Sequence, residues 1–240
     1  MTLTRRLFSG AAIAASLLLA ACGGGGAPAG QSQYEREGDH AKGPADAPVV
    51  FIEYASVACP ACAAFHQQAM GTINEYVETG DVRFVFREMI TGQPRLAVAG
   101  FMLARCAPQE RYFDVLDILF EQQRALFSAM QAGTAQQQLV TIARSVGLSE
   151  QEFFACMNDE TLLQAVQAAN QEAADAGIDA TPTFIVNGER LEAQRGPEGN
   201  TQVWYAGATM LEDEQGPIPY NFEGDTFERI ILYFKARAGQ

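Results

Sequence analysis

The chain has 240 residues, 48% of them apolar, and carries 16 basic against 29 acidic side chains for a formal net charge of −13. That length suits one domain or at most two. The acidity excludes the basic footprint of a nucleic-acid binder, and a near-zero mean hydropathy with no long apolar run in the body excludes a polytopic membrane protein. Five cysteines are an odd number; in an exported chain the leftover thiol is modified, paired with another chain, or free and reactive.

Arg5 and Arg6 precede an apolar, small-residue run from Leu7 to Ala21. A positive start and about 15 apolar residues read as a secretory signal peptide over 1–21, because a spanning helix needs ~20. Leu19-Ala20-Ala21-Cys22 resembles the bacterial lipobox, which implies an acylated Cys22 at a new N-terminus. Thr4-Arg5-Arg6-Leu7-Phe8 is also similar to a twin-arginine export signal, although Ser9 and Gly10 depart from the fuller pattern. The glycines and small polar residues that follow read as a flexible tether over 22–40. The folded domain is then expected over 41–240, lipid-anchored to a bacterial membrane on its periplasmic side.

Residues 48–55 form an apolar, β-branched run expected of a buried strand. A helix is expected from about Pro60 to Val77, and Val82–Arg87 alternates like a second strand. The stretch from about 94 to 176 reads as helical, with one face built from Leu96, Val98, Ala99, Met102 and Leu103. Pro108 is placed to open the next helix in its first turn, along which lie Phe113, Leu116, Phe120 and Phe127. Gly147 stops a third helix, and Ser149 to Glu152 reads as a capping box. Another helix ends at Gly177. Thr183–Val186 is a short strand closed by Asn187-Gly188, a hairpin signal. Asp225 to Glu228 is expected to cap a last helix with Phe227, Ile230, Ile231 and Phe234 inward. The order is β-α-β, a helical block, then β-turn-β-α, which one α/β sheet with an inserted helical subdomain accounts for.

Cys59-Pro60-Ala61-Cys62 sits where the first strand hands over to a helix. Two thiols at i and i+3 share one face and can close a small disulfide ring. The first lies near the unsatisfied N–H groups and the positive end of the helix dipole. That favours the thiolate, the attacking species. Pro60 falls in the first helical turn, where its missing N–H costs nothing. A lone CxxC also suits zinc, but zinc needs two further ligands; the only histidines are His40 and His66, and there is no second CxxC. No metal is expected.

With Thr181-Pro182 placed just before the strand Thr183–Val186, the strand–CPAC–helix unit resembles the thioredoxin superfamily. The long, mostly helical connection from Cys62 to Pro182 resembles its DsbA-like branch. Further matches are the tract Gly43 to Pro48, Phe65-His66 after the motif, and Thr183 to Gly188. The resemblance spans about 40–188 plus the final helix. It implies a thioredoxin-like α/β fold with a helical insertion at about 94–176. It implies a periplasmic thiol–disulfide oxidoreductase that forms disulfides in exported proteins, with Cys59 and Cys62 catalytic and no cofactor. The expected partners are exported protein thiols, a membrane redox partner and, through Cys22, the lipid membrane, with no nucleic acid. The same site run in reverse is a disulfide isomerase or reductase, and a non-enzymatic lipoprotein chaperone could keep the fold for binding alone.

The resemblance also implies a cis Pro182 that lies against the cysteine pair, together with Thr181. Glu53 reads either as a solvated edge acid or, as in the superfamily, as a buried carboxyl that takes the Cys62 proton; burial would raise its pKa. His66 reads as a packing residue, with tuning of the site as the alternative. Some DsbA-like proteins carry a structural disulfide in the insertion, which would pair Cys106 with Cys156; the alternative is two buried free thiols. The Ala61 side chain cannot donate to the Cys59 thiolate, so a less depressed pKa is expected, with a potential between about −120 and −270 mV. The stretch 190–222, with Trp204, Tyr205 and Tyr220, reads as an extended hairpin with a packed aromatic or as part of a peptide-binding surface.

Overall fold

The structure is a computed structural model and describes residues 31–238 other than 198 and 200. The expected signal peptide, the acylated Cys22 and residues 22–30 of the tether lie outside the described residues. A seven-stranded mixed sheet forms the centre. Its strands are β1 (His40–Lys42), β2 (Val49–Ala55), β3 (Val82–Glu88), β4 (Thr183–Val186), β5 (Glu189–Arg195), β6 (Gln202–Ala206) and β7 (Thr209–Met210), in the order β1-β3-β2-β4-β5-β6-β7. β2 and β3 are parallel, linked by α1 (Pro60–Glu78), and the other neighbours are antiparallel.

All seven residues of β2 are buried, as a strand covered on both faces requires. Phe51 and Ala55 pack with Phe65 of α1 and with Phe227 and Ile230 of α8 (Gly224–Ala238). Val50, Ile52 and Tyr54 face the other way, against Ala173 of α7 (Glu160–Asp175) and Ile178. Alternation therefore aims Glu53 at α1. Asn187 and Gly188 both have positive φ, 48° and 84°, the geometry of a two-residue hairpin turn.

Between β3 and β4 lie α2 (Pro94–Cys106), α3 (Tyr112–Glu121), α4 (Gln123–Gln131), α5 (Ala135–Ser145), α6 (Glu150–Met157) and α7. Ser149 and Glu152 make the reciprocal capping box of α6. Cys106 and Cys156 are joined by a disulfide with a Cα–Cα distance of 6.1 Å, tying α2 to α6. The bridge closes a sequence separation of 50 residues, for which the loop-entropy model gives about 4 kcal/mol. Glu88, at the end of β3, accepts from Arg105 Nε and Tyr112 Oη, each at 2.9 Å. That cluster fixes α2 and α3 to the sheet.

Several local readings change. Pro108 precedes a 3₁₀ turn (Gln109–Arg111), and the long helix expected beyond it is broken at Gln122 into α3 and α4. On α2, Leu96, Met102 and Leu103 are buried as expected and Val98 and Ala99 only partly, while Ala97, Gly100, Phe101 and Ala104 are buried as well, so α2 is covered on more than one face. The last helix begins at Gly224, so Asp225 sits in its first turn rather than capping it. Residues 31–39, read as tether, are docked. Glu35 pairs with Arg83 at 2.9 Å and Asp39 with Arg87 at 2.7 Å. The two arginines lie four apart on β3 and so share one face. Segment 190–222 extends the sheet through β5 to β7 and a small hairpin, β8 (Glu212–Asp213) with β9 (Gly216–Pro217). Trp204, 3% exposed, packs there on Tyr220, Phe184 and Phe227.

His40 stacks on Tyr112 at 3.6 Å. Burial, with the Arg105 charge second, holds its pKa down to about 4. Above about pH 6.5 the folded and unfolded states are both neutral at this residue and it is silent. As the pH falls from there toward 4, only the unfolded state gains the proton, so stability is lost, by at most about 3 kcal/mol. Between pH 7 and pH 4.5, urea unfolding of the wild type should lose about 2 kcal/mol more than that of His40→Phe, which keeps the stack and removes the titration; equal losses would refute this.

Candidate active site

Cys59 is the N-cap of α1 and Pro60 its first residue. The Cys59 sulfur itself does the capping, accepting the Cys62 N–H at 3.4 Å. No acidic residue occupies the first turn of α1, so nothing there competes with negative charge on the sulfur. Cys59 is 8% exposed and Cys62 fully buried, and both are free thiols.

The turn that carries Cys59 is held from three sides. Gln123 of α4 is buried and donates to Val57 O at 2.8 Å and Cys59 O at 3.0 Å. Gly92 has a φ of +72° and lies so close to Ala58 O that a Cβ would collide with it. Ser56 Oγ donates to Thr91 O, and the Thr91 and Thr181 hydroxyls share a 2.7 Å hydrogen bond. The Thr181–Pro182 bond is cis, and the Cys59 thiol donates to Thr181 O at 3.3 Å. The two segments read separately from the sequence, 59–62 and 181–182, therefore meet here.

The two sulfurs are electrostatically opposite. The Cys59 pKa is lowered to about 6, first by a hydrogen bond from the Cys62 thiol. Burial opposes this, while Thr181 and the N–H groups of Cys62 and Ala61 assist. Burial, then the Cys59 sulfur and the Glu53 charge, push the Cys62 thiol far up. A value near 6 lies between thioredoxin at ~7 and the strongest oxidants at ~3.5, in line with an Ala61 whose side chain donates nothing.

Glu53 is completely buried, so it is not a solvated edge acid. Its Oε2 lies 2.9 Å from His66 Nε2, so His66 is a hydrogen-bond partner of Glu53 as well as a packing residue. Burial pulls the His66 pKa down, but Glu53 and Asp117 more than offset it and the net shift is upward. The four-residue spacing of His66 from Cys62 put both on one face of α1; the pairing with Glu53 of β2 was not readable. Gln123 carried no sequence signal. Among the described residues no three His, Cys, Asp or Glu side chains cluster to hold a metal.

A family model described as "Thioredoxin" matches residues 35–203. The chain belongs to the thioredoxin family. Its fold is the DsbA-like form with the helical insertion. The crystal structure of Wolbachia pipientis alpha-DsbA1 superposes with a TM-score of 0.64 at 24% identity, covering 85% of this chain and 94% of that one. Oxidised BdbD from Bacillus subtilis gives 0.62 at 19% identity, covering 86% and 97%. Among curated sequences, a "Putative protein-disulfide oxidoreductase" of Rickettsia conorii is 31% identical over 144 residues, 58% of this chain and 50% of that protein. The Na(+)/H(+) antiporter NhaA of Herminiimonas arsenicoxydans is 30% identical over 181 residues, 75% of this thioredoxin-family chain but 27% of the antiporter. The chain thus spans half or less of the length of these two relatives.

Thiolate absorbance of the reduced protein should titrate with a midpoint near pH 6 and lose that step in Cys59→Ser. A midpoint above about 8, the ordinary thiol range, would contradict the geometry. Gln123→Leu leaves the buried Val57 carbonyl without its donor and should cost about 1–3 kcal/mol in urea unfolding; an unchanged midpoint would show that the clamp is not used.

Proposed function

We propose that this protein is a thiol–disulfide oxidoreductase that works as a disulfide-forming oxidase on exported proteins, lipid-anchored through Cys22 in the periplasm. The observation that carries the redox reading is the pairing of a capped, low-pKa Cys59 with a fully buried, high-pKa Cys62 beside Thr181–Pro182. The arrangement separates an attacking or leaving sulfur from a resolving one. Signal-like residues 1–22 support the location.

In the oxidised state Cys59 and Cys62 share a disulfide. A substrate thiolate attacks the Cys59 sulfur, a mixed disulfide forms, and Cys62 leaves as a thiolate and takes a proton. The second substrate thiolate attacks the substrate's own sulfur in the mixed disulfide and releases Cys59. The depressed Cys59 pKa makes it the better leaving group. Two electrons pass to the cysteine pair, and a disulfide on a membrane partner takes them away. Glu53 is the buried base that accepts or returns the Cys62 proton.

Reduced, unfolded dithiol substrate should gain its disulfide with the oxidised wild type, and Cys59→Ser should abolish this. A binding module would be indifferent to the substitution. Acid-trapped protein from cells decides the direction: mostly disulfide supports the oxidase, and mostly dithiol overturns it in favour of a reductase or isomerase.

A further inference from the structure

Cys62 is fully buried, yet its sulfur gains and loses a proton in every cycle of the proposed exchange. Glu53, whose charge acts on Cys62, is equally enclosed. One of its oxygens, Oε2, is held by His66 Nε2 at 2.9 Å. The other, Oε1, is buried with no hydrogen-bond partner. A carboxyl group with no exit would keep the proton it takes.

The His66 ring spans the gap. Its side chain is 6% exposed, and its free nitrogen Nδ1 lies 3.9 Å from Asp117 Oδ1 on α3. That separation is too long for a hydrogen bond, and Nδ1 has no other partner. The Asp117 side chain is half exposed. Phe120 stacks on the ring at 3.8 Å, with Phe65 and Phe86 edge-on, so the ring is held with one nitrogen toward Glu53 and the other, itself buried, toward the half-exposed Asp117. The remaining charges on this face are Lys42 of β1 and Asp114 of α3. Lys42 lies over Phe84 and Phe113 and is influenced by Asp117, Glu53 and Asp114.

We propose that His66 and Asp117 form a proton conduit between the buried Glu53 carboxyl and solvent, serving Cys62. This rests on the redox reading above. Outward, the Cys62 S–H bond breaks and Glu53 Oε1 takes the proton. The carboxyl then turns over and delivers that same proton to His66 Nε2, which starts unprotonated, and as it arrives His66 gives up its Nδ1 proton to Asp117 and the solvent around Asp117. The freed Cys62 thiolate attacks the mixed disulfide at Cys59 and expels the bound thiolate. Inward, when substrate reduces the cysteine pair, the same transfers run backward. One proton enters and one leaves per cycle, so the ring returns to its starting tautomer without turning over in its aromatic slot. His66 and Asp117 touch no substrate and act through Glu53.

An aromatic disulfide that releases a coloured thiolate separates the steps. Cys59 attack on it releases the first thiolate and Cys62 attack on the mixed disulfide the second. His66→Gln keeps a hydrogen-bond donor for Glu53 but cannot relay a proton. It should leave the first release at the wild-type rate and slow the second at least about tenfold near pH 7, with a displaced pH profile. Asp117→Asn, at a half-exposed position, should slow the second release by a smaller factor, about threefold, and decides the matter if His66→Gln does not fold. Second release at the wild-type rate across about pH 5–9 in the folded variants would overturn the conduit. A wild type that releases no second thiolate would instead overturn the redox reading itself.

Discussion

Two sulfurs one helical turn apart must hold opposite protonation states, and much of the molecule is arranged around that demand. The sequence separation of three puts Cys59 at the open end of α1 and Cys62 inside its first turn. The open end supplies unpaired N–H groups, and Cys59 uses one of them as a cap. The inside supplies only burial, which disfavours charge. Keeping both environments requires the turn before α1 to stay fixed. This explains why α4 reaches in with Gln123 and why α2 packs so closely that a side chain on Gly100 would meet Val57. The helical insertion is thus the wall against which the redox turn is built.

The same logic sorts the buried charges. Asp39 with Arg87 and Glu88 with Arg105 each fasten a peripheral segment to the sheet. Ion pairs of this kind contribute little net stability but are costly to break, so they suit fixing geometry. Glu53 and His66 differ. Each has one atom paired with the other and one buried atom without a partner. A pair that leaves such valences open is poor as a fastener, and the Glu53 charge that acts on Cys62 accounts for its presence better than stability does.

Local signals were legible in the sequence because their physics is local. Proline at the first position of α1, the Ser149–Glu152 box, the Asn187-Gly188 turn and the apolar run of β2 each needed only a few neighbours to be read. So did the family, whose motifs are short and ordered. The choice of partner was not legible. Glu35 and Asp39 each meet an arginine 48 residues away, which is why a segment with the composition of a tether turned out to be docked. Gln123 finds carbonyls 64 and 66 residues away. Periodicity names the face of an element but not what lies across from it, and α2 buries more than the one expected face for that reason.

Ala61 couples these observations. With no side chain there to donate, the Cys59 thiolate depends first on the Cys62 thiol. The Cys62 proton therefore has two tasks that conflict in time. While it stays, it stabilises the Cys59 thiolate for the first attack. It must leave before Cys62 can make the second. A motif with its own donor at the third position would separate the two tasks; this one assigns both to a single proton on a fully buried atom. In the proposed exchange, where that proton goes, and how fast, then matters as much as the Cys59 pKa does. In such a site the groups behind Cys62 carry the control that other sequences place within the motif itself.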